Sequence, residues 1–132
     1  MKGFFHMLET GVKGQQSETV TNDKTAAEMG SGTLPVYATP AMIALMEKTA
    51  MLSVAQYLGE DEATVGTRLE ISHLAACGLG TKVSCESELI EIDRKRLVFE
   101  ISAYDGETLI GQGKHERFII NTVKFMDKVN NK

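Results

Sequence analysis

Three side chains in this chain are reactive types in uncommon places. Glu47 lies midway along "ATPAMIALMEKTAMLSVAQYL" (38–58), with Ile43, Ala44, Ala50 and Met51 three or four residues away, which puts it on an apolar side of a helix. A helical glutamate is ordinarily a surface residue paired with lysine. Here the polar stripe runs elsewhere, through Lys48, Thr49, Ser53 and Gln56. A buried carboxylate without a partner is costly, and desolvated carboxylates are the ones that serve as general bases. His73 follows in "TVGTRLEISHLA" (64–75), where strict alternation groups it with Val65, Thr67, Leu69 and Ile71 and sends Gly66, Arg68, Glu70 and Ser72 to the other face. That first face is expected to meet the helix, and so to bring His73 to the Glu47 side. Thr39, just before Pro40, is expected to be the helix N-cap, with the proline at the first helical position. Its hydroxyl can serve both as a cap and in chemistry.

Other sets are missing. His6, His73 and His115 show no HxH or HxxxH spacing, so no metal site is expected. No GxGxxG or GxxxxGK[ST] occurs, and "GQG" (111–113) follows the wrong kind of element for a phosphate loop.

The elements that must position these residues can be read from periodicity. Residues 12–22 alternate polar and β-branched types as a first strand, "DKTAAEM" suggests a short helical turn, and "GSG" ends it. The long helix follows, with Gly59 as its expected stop. Four antiparallel strands come next: 64–75, "TKVSCESELIEI", "LVFEISAY" and "TLIGQGKHERFIIN", joined at "GLG", "DRKR" and "DGE". "TVKFMDKVNNK" reads as a partly ordered tail. A helix apolar on most sides must be covered on most sides, whereas an antiparallel sheet usually has one core face. The economical fold is α+β: a sheet curled around one helix, the hot-dog arrangement. Gly111 and Gly113, on alternate positions of the last strand, would let the helix come close. Helix faces left uncovered predict pairing of two copies, a homodimer.

Composition narrows the function classes. The 132 residues make one domain, 1–132, with its core at about 12–126, and the 42% hydrophobic content is that of a globular chain. A net charge of −4 leaves no basic surface for nucleic acid or for an anionic membrane. The run 41–58 is too short to span a bilayer and carries Glu47 and Lys48 at its centre. Cys77 and Cys85 are expected as reduced, half-buried residues. "MKGFFHMLET" lacks the apolar core and cleavage site of a signal peptide, so a cytoplasmic location is expected.

Taken together, "ATPAMIALME" (38–47), "TVGTRLEISHLA" (64–75) and "GQGKHERF" (111–118) resemble the fluoroacetyl-CoA thioesterase family of hot-dog proteins, in motif order and spacing, over about residues 12–126. The resemblance implies a catalytic group of Thr39, Glu47 and His73. It further implies substrate contacts from Gly66 of "VGT" and Arg117 of "HERF", the latter suited to an anionic part of an acyl-CoA. The implied reaction is hydrolysis of a short-chain acyl-CoA thioester, with CoA as part of the substrate and no separate cofactor. Two alternatives are a non-catalytic acyl-CoA-binding hot-dog module and a dehydratase acting on carrier-bound acyl chains. The first has no need of a buried carboxylate, and the second normally has another motif order.

Overall fold

The computed structural model describes residues 7–132; the leading segment, which holds His6 and most of the stretch read for a leader, lies outside the described residues. Strand β1 (Lys13–Thr19) is followed by a 3-10 turn and the short helix α1 (Ala26–Met29), then by the long helix α2 (Thr39–Val54). Strands β2 (Glu62–His73), β3 (Lys82–Asp93), β4 (Arg96–Asp105) and β5 (Thr108–Asn121) come next, and helix α3 (Thr122–Asn130) closes the chain.

The strands form one antiparallel sheet in the order β1-β3-β4-β5-β2. Register shifts interrupt β2 against β5, β3 against β4 and β4 against β5, and such irregularities bend a sheet. The curved face takes up α2. Met42, Leu45, Met46, Ala50 and Val54 of the helix are buried against Val83, Leu89, Leu97, Phe99 and Ile101 of the sheet. This is the hot-dog fold. One side of α2 stays open to solvent: Ala44, Lys48, Met51 and Leu52 are exposed.

Several local expectations change. The N-cap of α2 is Ala38, without a side-chain cap, and Thr39 is already helical. Helix α2 passes at Val54 into a 3-10 turn (Ala55–Tyr57) that buries Leu58, so Gly59 lies beyond the stop; its N–H donates to Glu62 Oε1 at 2.9 Å. Gly111 does make room for the helix, where an added Cβ would press on the Met42 thioether. Gly113 instead lies against the β2 backbone at Glu70 and Ile71. The tail is ordered as α3, which Asn121 caps by accepting from the Lys124 N–H at 3.0 Å.

The largest correction concerns β2. Its pairing with β5 skips Thr67: Gly66 lies opposite Arg117, and Arg68 opposite Glu116. This bulge breaks the alternation, so Gly66, Leu69, Ile71 and His73 share the helix-facing side and Val65 does not. An extra residue in one strand inverts the faces beyond it.

Candidate active site

The residues singled out in the sequence gather into two groups along α2. The first lies at the helix start. Thr39 Oγ1 and His73 Nδ1 are 2.7 Å apart, joining the first turn of α2 to the end of β2. Because Ala38 occupies the cap, the Thr39 hydroxyl is free of capping duty and pairs with the imidazole instead. Burial pushes the His73 pKa below its ordinary value, the Ala75 backbone acting in the opposite sense. A neutral ring can accept a proton. Its Nε2 is buried and has no hydrogen-bond partner among the described residues.

Tyr37 stands edge-on to His73, with ring centroids 6.5 Å apart, and its hydroxyl donates to Glu18 Oε2 at 2.6 Å. An open depression of about 330 Å³ lies beside this group, with Val36, Tyr37, Thr39, His73, Leu74 and Ala75 among its lining residues. It has room for a small acyl group.

The second group lies about two turns further along. Glu47 is not fully buried, its side chain being 39% exposed, and it is not unpaired: Arg117 Nη1 stands 3.4 Å from Glu47 Oε2. The expectation of a lone, desolvated carboxylate is thereby corrected, because β5 delivers a cation from 70 residues away. Arg117 is itself 6% exposed. Its Nε donates to Thr64 Oγ1 at 2.8 Å, its Nη2 to the Thr64 carbonyl at 2.9 Å, and its Nη1 also contacts His115 Nε2 at 3.1 Å. Desolvation lowers the Arg117 pKa and Glu47 raises it again. Gly66 closes the group, since an added Cβ would collide with Glu47 Oε2 and come within 3.1 Å of His115 Cε1 and 3.2 Å of Arg117 Nη1.

Sequence reasoning weighed His115 only as a metal ligand and passed over it. The usable signal was parity. His115, Arg117 and Ile119 share one face of β5, so a residue two before a functional arginine faces the same site. Among the described residues no hydrogen bond or ion pair joins the Thr39–His73 group to the Glu47 group. Eight residues of helix separate them, a rise of about 12 Å. No group of three or more His, Cys, Asp or Glu among the described residues is placed to hold a metal ion, and no helix among them is long and apolar enough to cross a membrane.

The comparisons with known proteins agree with the fold and give its family. The family model described as fluoroacetyl-CoA-specific thioesterase matches residues 20–123. The fluoroacetyl-CoA thioesterase of Streptantibioticus cattleyicolor is 39% identical over 97 residues, covering 74% of this chain and 70% of that protein. A solved structure of the fluoroacetyl-CoA thioesterase FlK superposes with a TM-score of 0.90 at 32% identity, covering 96% of this chain and 98% of that one. A variant of FlK in complex with acetyl-CoA gives a TM-score of 0.89 at 31% identity, with 93% and 97% covered. The reaction is hydrolysis of an acyl-CoA thioester, and the chain belongs to the fluoroacetyl-CoA-specific thioesterase family of hot-dog enzymes.

Proposed function

We propose that the protein cleaves short-chain acyl-CoA thioesters in the cytoplasm, as a homodimer in which each site draws Thr39 and His73 from one chain and Glu47 from the other. The short acyl group is supported by the complex of an FlK variant with acetyl-CoA, and the open depression beside Thr39 and His73 has room for it. The cytoplasm is where CoA thioesters are at hand and where two free cysteines stay reduced. No cofactor is proposed beyond the CoA that the substrate carries.

The observation that carries the dimer is the split site. Two groups that suit one reaction lie about 12 Å apart on one helix, and both are on the open side of the protomer. Met51 and Leu52 of α2 and Leu69 and Leu74 at β2 are exposed large apolar residues near them. Strand β2 has a partner on one side only. Its free edge, with these apolar residues, suits a second copy of the chain.

In the proposed reaction an oxygen nucleophile adds to the thioester carbonyl carbon, and the C–S bond then breaks. Glu47 supplies the nucleophile, either a water that it deprotonates or its own oxygen, in which case water opens the resulting anhydride. Oε2 is held by Arg117, while Oε1 has no hydrogen-bond partner among the described residues. The Thr39 hydroxyl, accepting from Nδ1–H of His73, is free to donate to the carbonyl oxygen and polarise it, and His73 carries to the departing thiolate the proton that the water gives up. Gly66 and Arg117 are the proposed substrate-side contacts at the carboxylate end. The products are a carboxylate and the CoA thiol.

The experiment is a panel of short acyl-CoA esters with free-thiol detection, run on the parent and on Glu47→Gln. Release by the parent and none by the variant is expected. A parent that releases thiol from no ester would make the chain an acyl-CoA-binding module, and an active Glu47→Gln would remove Glu47 from the chemistry.

A further inference from the structure

Arg117 can steer Glu47 only if something steers Arg117, and the two outer nitrogens of the guanidinium are held differently. The Thr64 carbonyl fixes Nη2 at 2.9 Å. Nη1, the nitrogen that reaches Glu47, has one further partner, Nε2 of His115 at 3.1 Å. His115 is 1% exposed. Its other nitrogen, Nδ1, lies 2.8 Å from the Arg68 carbonyl, at the bulge of β2.

These partners leave the ring one protonation state. A carbonyl can only accept, so Nδ1 carries the proton. A guanidinium can only donate, so Nε2 must present its lone pair. The imidazole is therefore neutral in the Nδ1–H form, and burial, which lowers its pKa, favours that form. Glu47 Oε2 is 4.0 Å from His115 Nε2, beyond hydrogen-bonding distance, so the imidazole reaches the carboxylate only through Arg117.

We propose that His115 is a positioning residue of this thioesterase: anchored on the β2 bulge, it takes one Nη1 hydrogen of Arg117 and thereby aims the other at Glu47. The inference rests on the reading of Glu47 as the catalytic carboxylate. The Phe99 ring lies near the imidazole, at 6.3 Å between centroids, and supplies packing without competing for either nitrogen.

The test compares full-length His115→Asn, His115→Gln and Glu47→Gln with the parent, using acetyl-CoA and free-thiol detection. Asparagine reaches about as far as Nδ1 and so keeps the contact to the bulge while losing the acceptor for Arg117. Glutamine reaches to about Nε2 and restores that acceptor. The Asn variant is expected to lose tenfold or more in kcat with KM within about twofold, and the Gln variant to return within about threefold of the parent.

Parental kcat in the Asn variant beside a dead Glu47→Gln would overturn the inference and leave Glu47 in place. Equal losses in Asn and Gln, following their melting temperatures, would overturn it too, as a role in folding alone. An active Glu47→Gln would instead remove the reading on which it rests. Should the Asn variant not fold, imidazole nitrogen NMR of the parent decides. The neutral Nδ1–H form is expected throughout the active pH range, and an imidazolium at His115 there would refute the proposal, since it has no lone pair for Arg117.

Discussion

Gly66→Ala asks whether the geometry around Glu47 matters more than its chemistry. The substitution adds one methyl group to an exposed position on a strand, a change that is ordinarily mild. Here the new Cβ would meet Glu47 Oε2, with His115 Cε1 and Arg117 Nη1 behind it at 3.1 and 3.2 Å. His115 and Arg117 are buried and cannot retreat. The Glu47 side chain is half exposed and flexible, so the carboxylate gives way, by about 1 Å to reach ordinary contact. For stability this lies at the lower end of overpacking, about 1 kcal/mol, or a melting temperature about 4 °C lower for a chain of this size. For turnover a displacement of that size costs about a hundredfold. Calorimetry and thiol-release kinetics on one preparation measure both. A kcat/KM within threefold of the parent would refute the reasoning, since Gly66 would then not be there to leave space for the carboxylate. A loss of folding on the scale of a core cavity would refute it as well, because it would mean that Glu47 cannot move.

Three further outcomes are expected. Inactive Thr39→Ala and Glu47→Gln chains, mixed under conditions that exchange subunits, should regain up to about a quarter of parental activity, because random pairing restores one intact site in half of the dimers; no recovery with exchange verified would place both residues of each site in one chain. Stability should decline as pH falls below about 6.5, because His73 and His115 have folded pKa values lowered by burial, so the unfolded chain binds more protons there; His115→Gln should flatten that slope in pH-dependent urea melts. Gly113→Ala should be far more destabilising than Gly111→Ala in the same melts, since the first collides with the Glu70 backbone of β2, whereas the second presses chiefly on the flexible end of Met42 and meets the Ser72 carbonyl oxygen at 3.3 Å.

Much of the architecture was legible because local signals agreed. The Asp105-Gly106 turn and the runs on either side of it place β4 and β5, and the last strand begins and ends where its pattern does. Glu47 stood out because apolar residues surround it in the sequence. Thr39 misled, since a threonine before a proline has the usual form of a cap, and only the fold shows its hydroxyl turned to His73. The partner of Glu47 was hidden by distance along the chain: nothing near residue 47 announces a guanidinium from residue 117. His115 was hidden because a buried imidazole with two hydrogen bonds leaves no spacing motif. The bulge was hidden because no residue type in "VGTR" demands it.

That bulge sets a rule for how this strand can change. Gly66 and His73 are seven positions apart, an odd number, and in a regular strand one of them would have to point away from the helix. The skipped Thr67 changes the parity, so that the space beside Glu47 and the imidazole beside Thr39 both look inward. Loss of Thr67 itself would leave a regular strand in which the two stand six positions apart and still face the helix, whereas loss of one residue elsewhere between them, with the bulge kept, would turn one half of the site outward. A single insertion or deletion here is tolerated only where it also makes or removes a bulge, and the count from glycine to histidine, taken with the bulge, becomes a marker of function that neither residue carries alone.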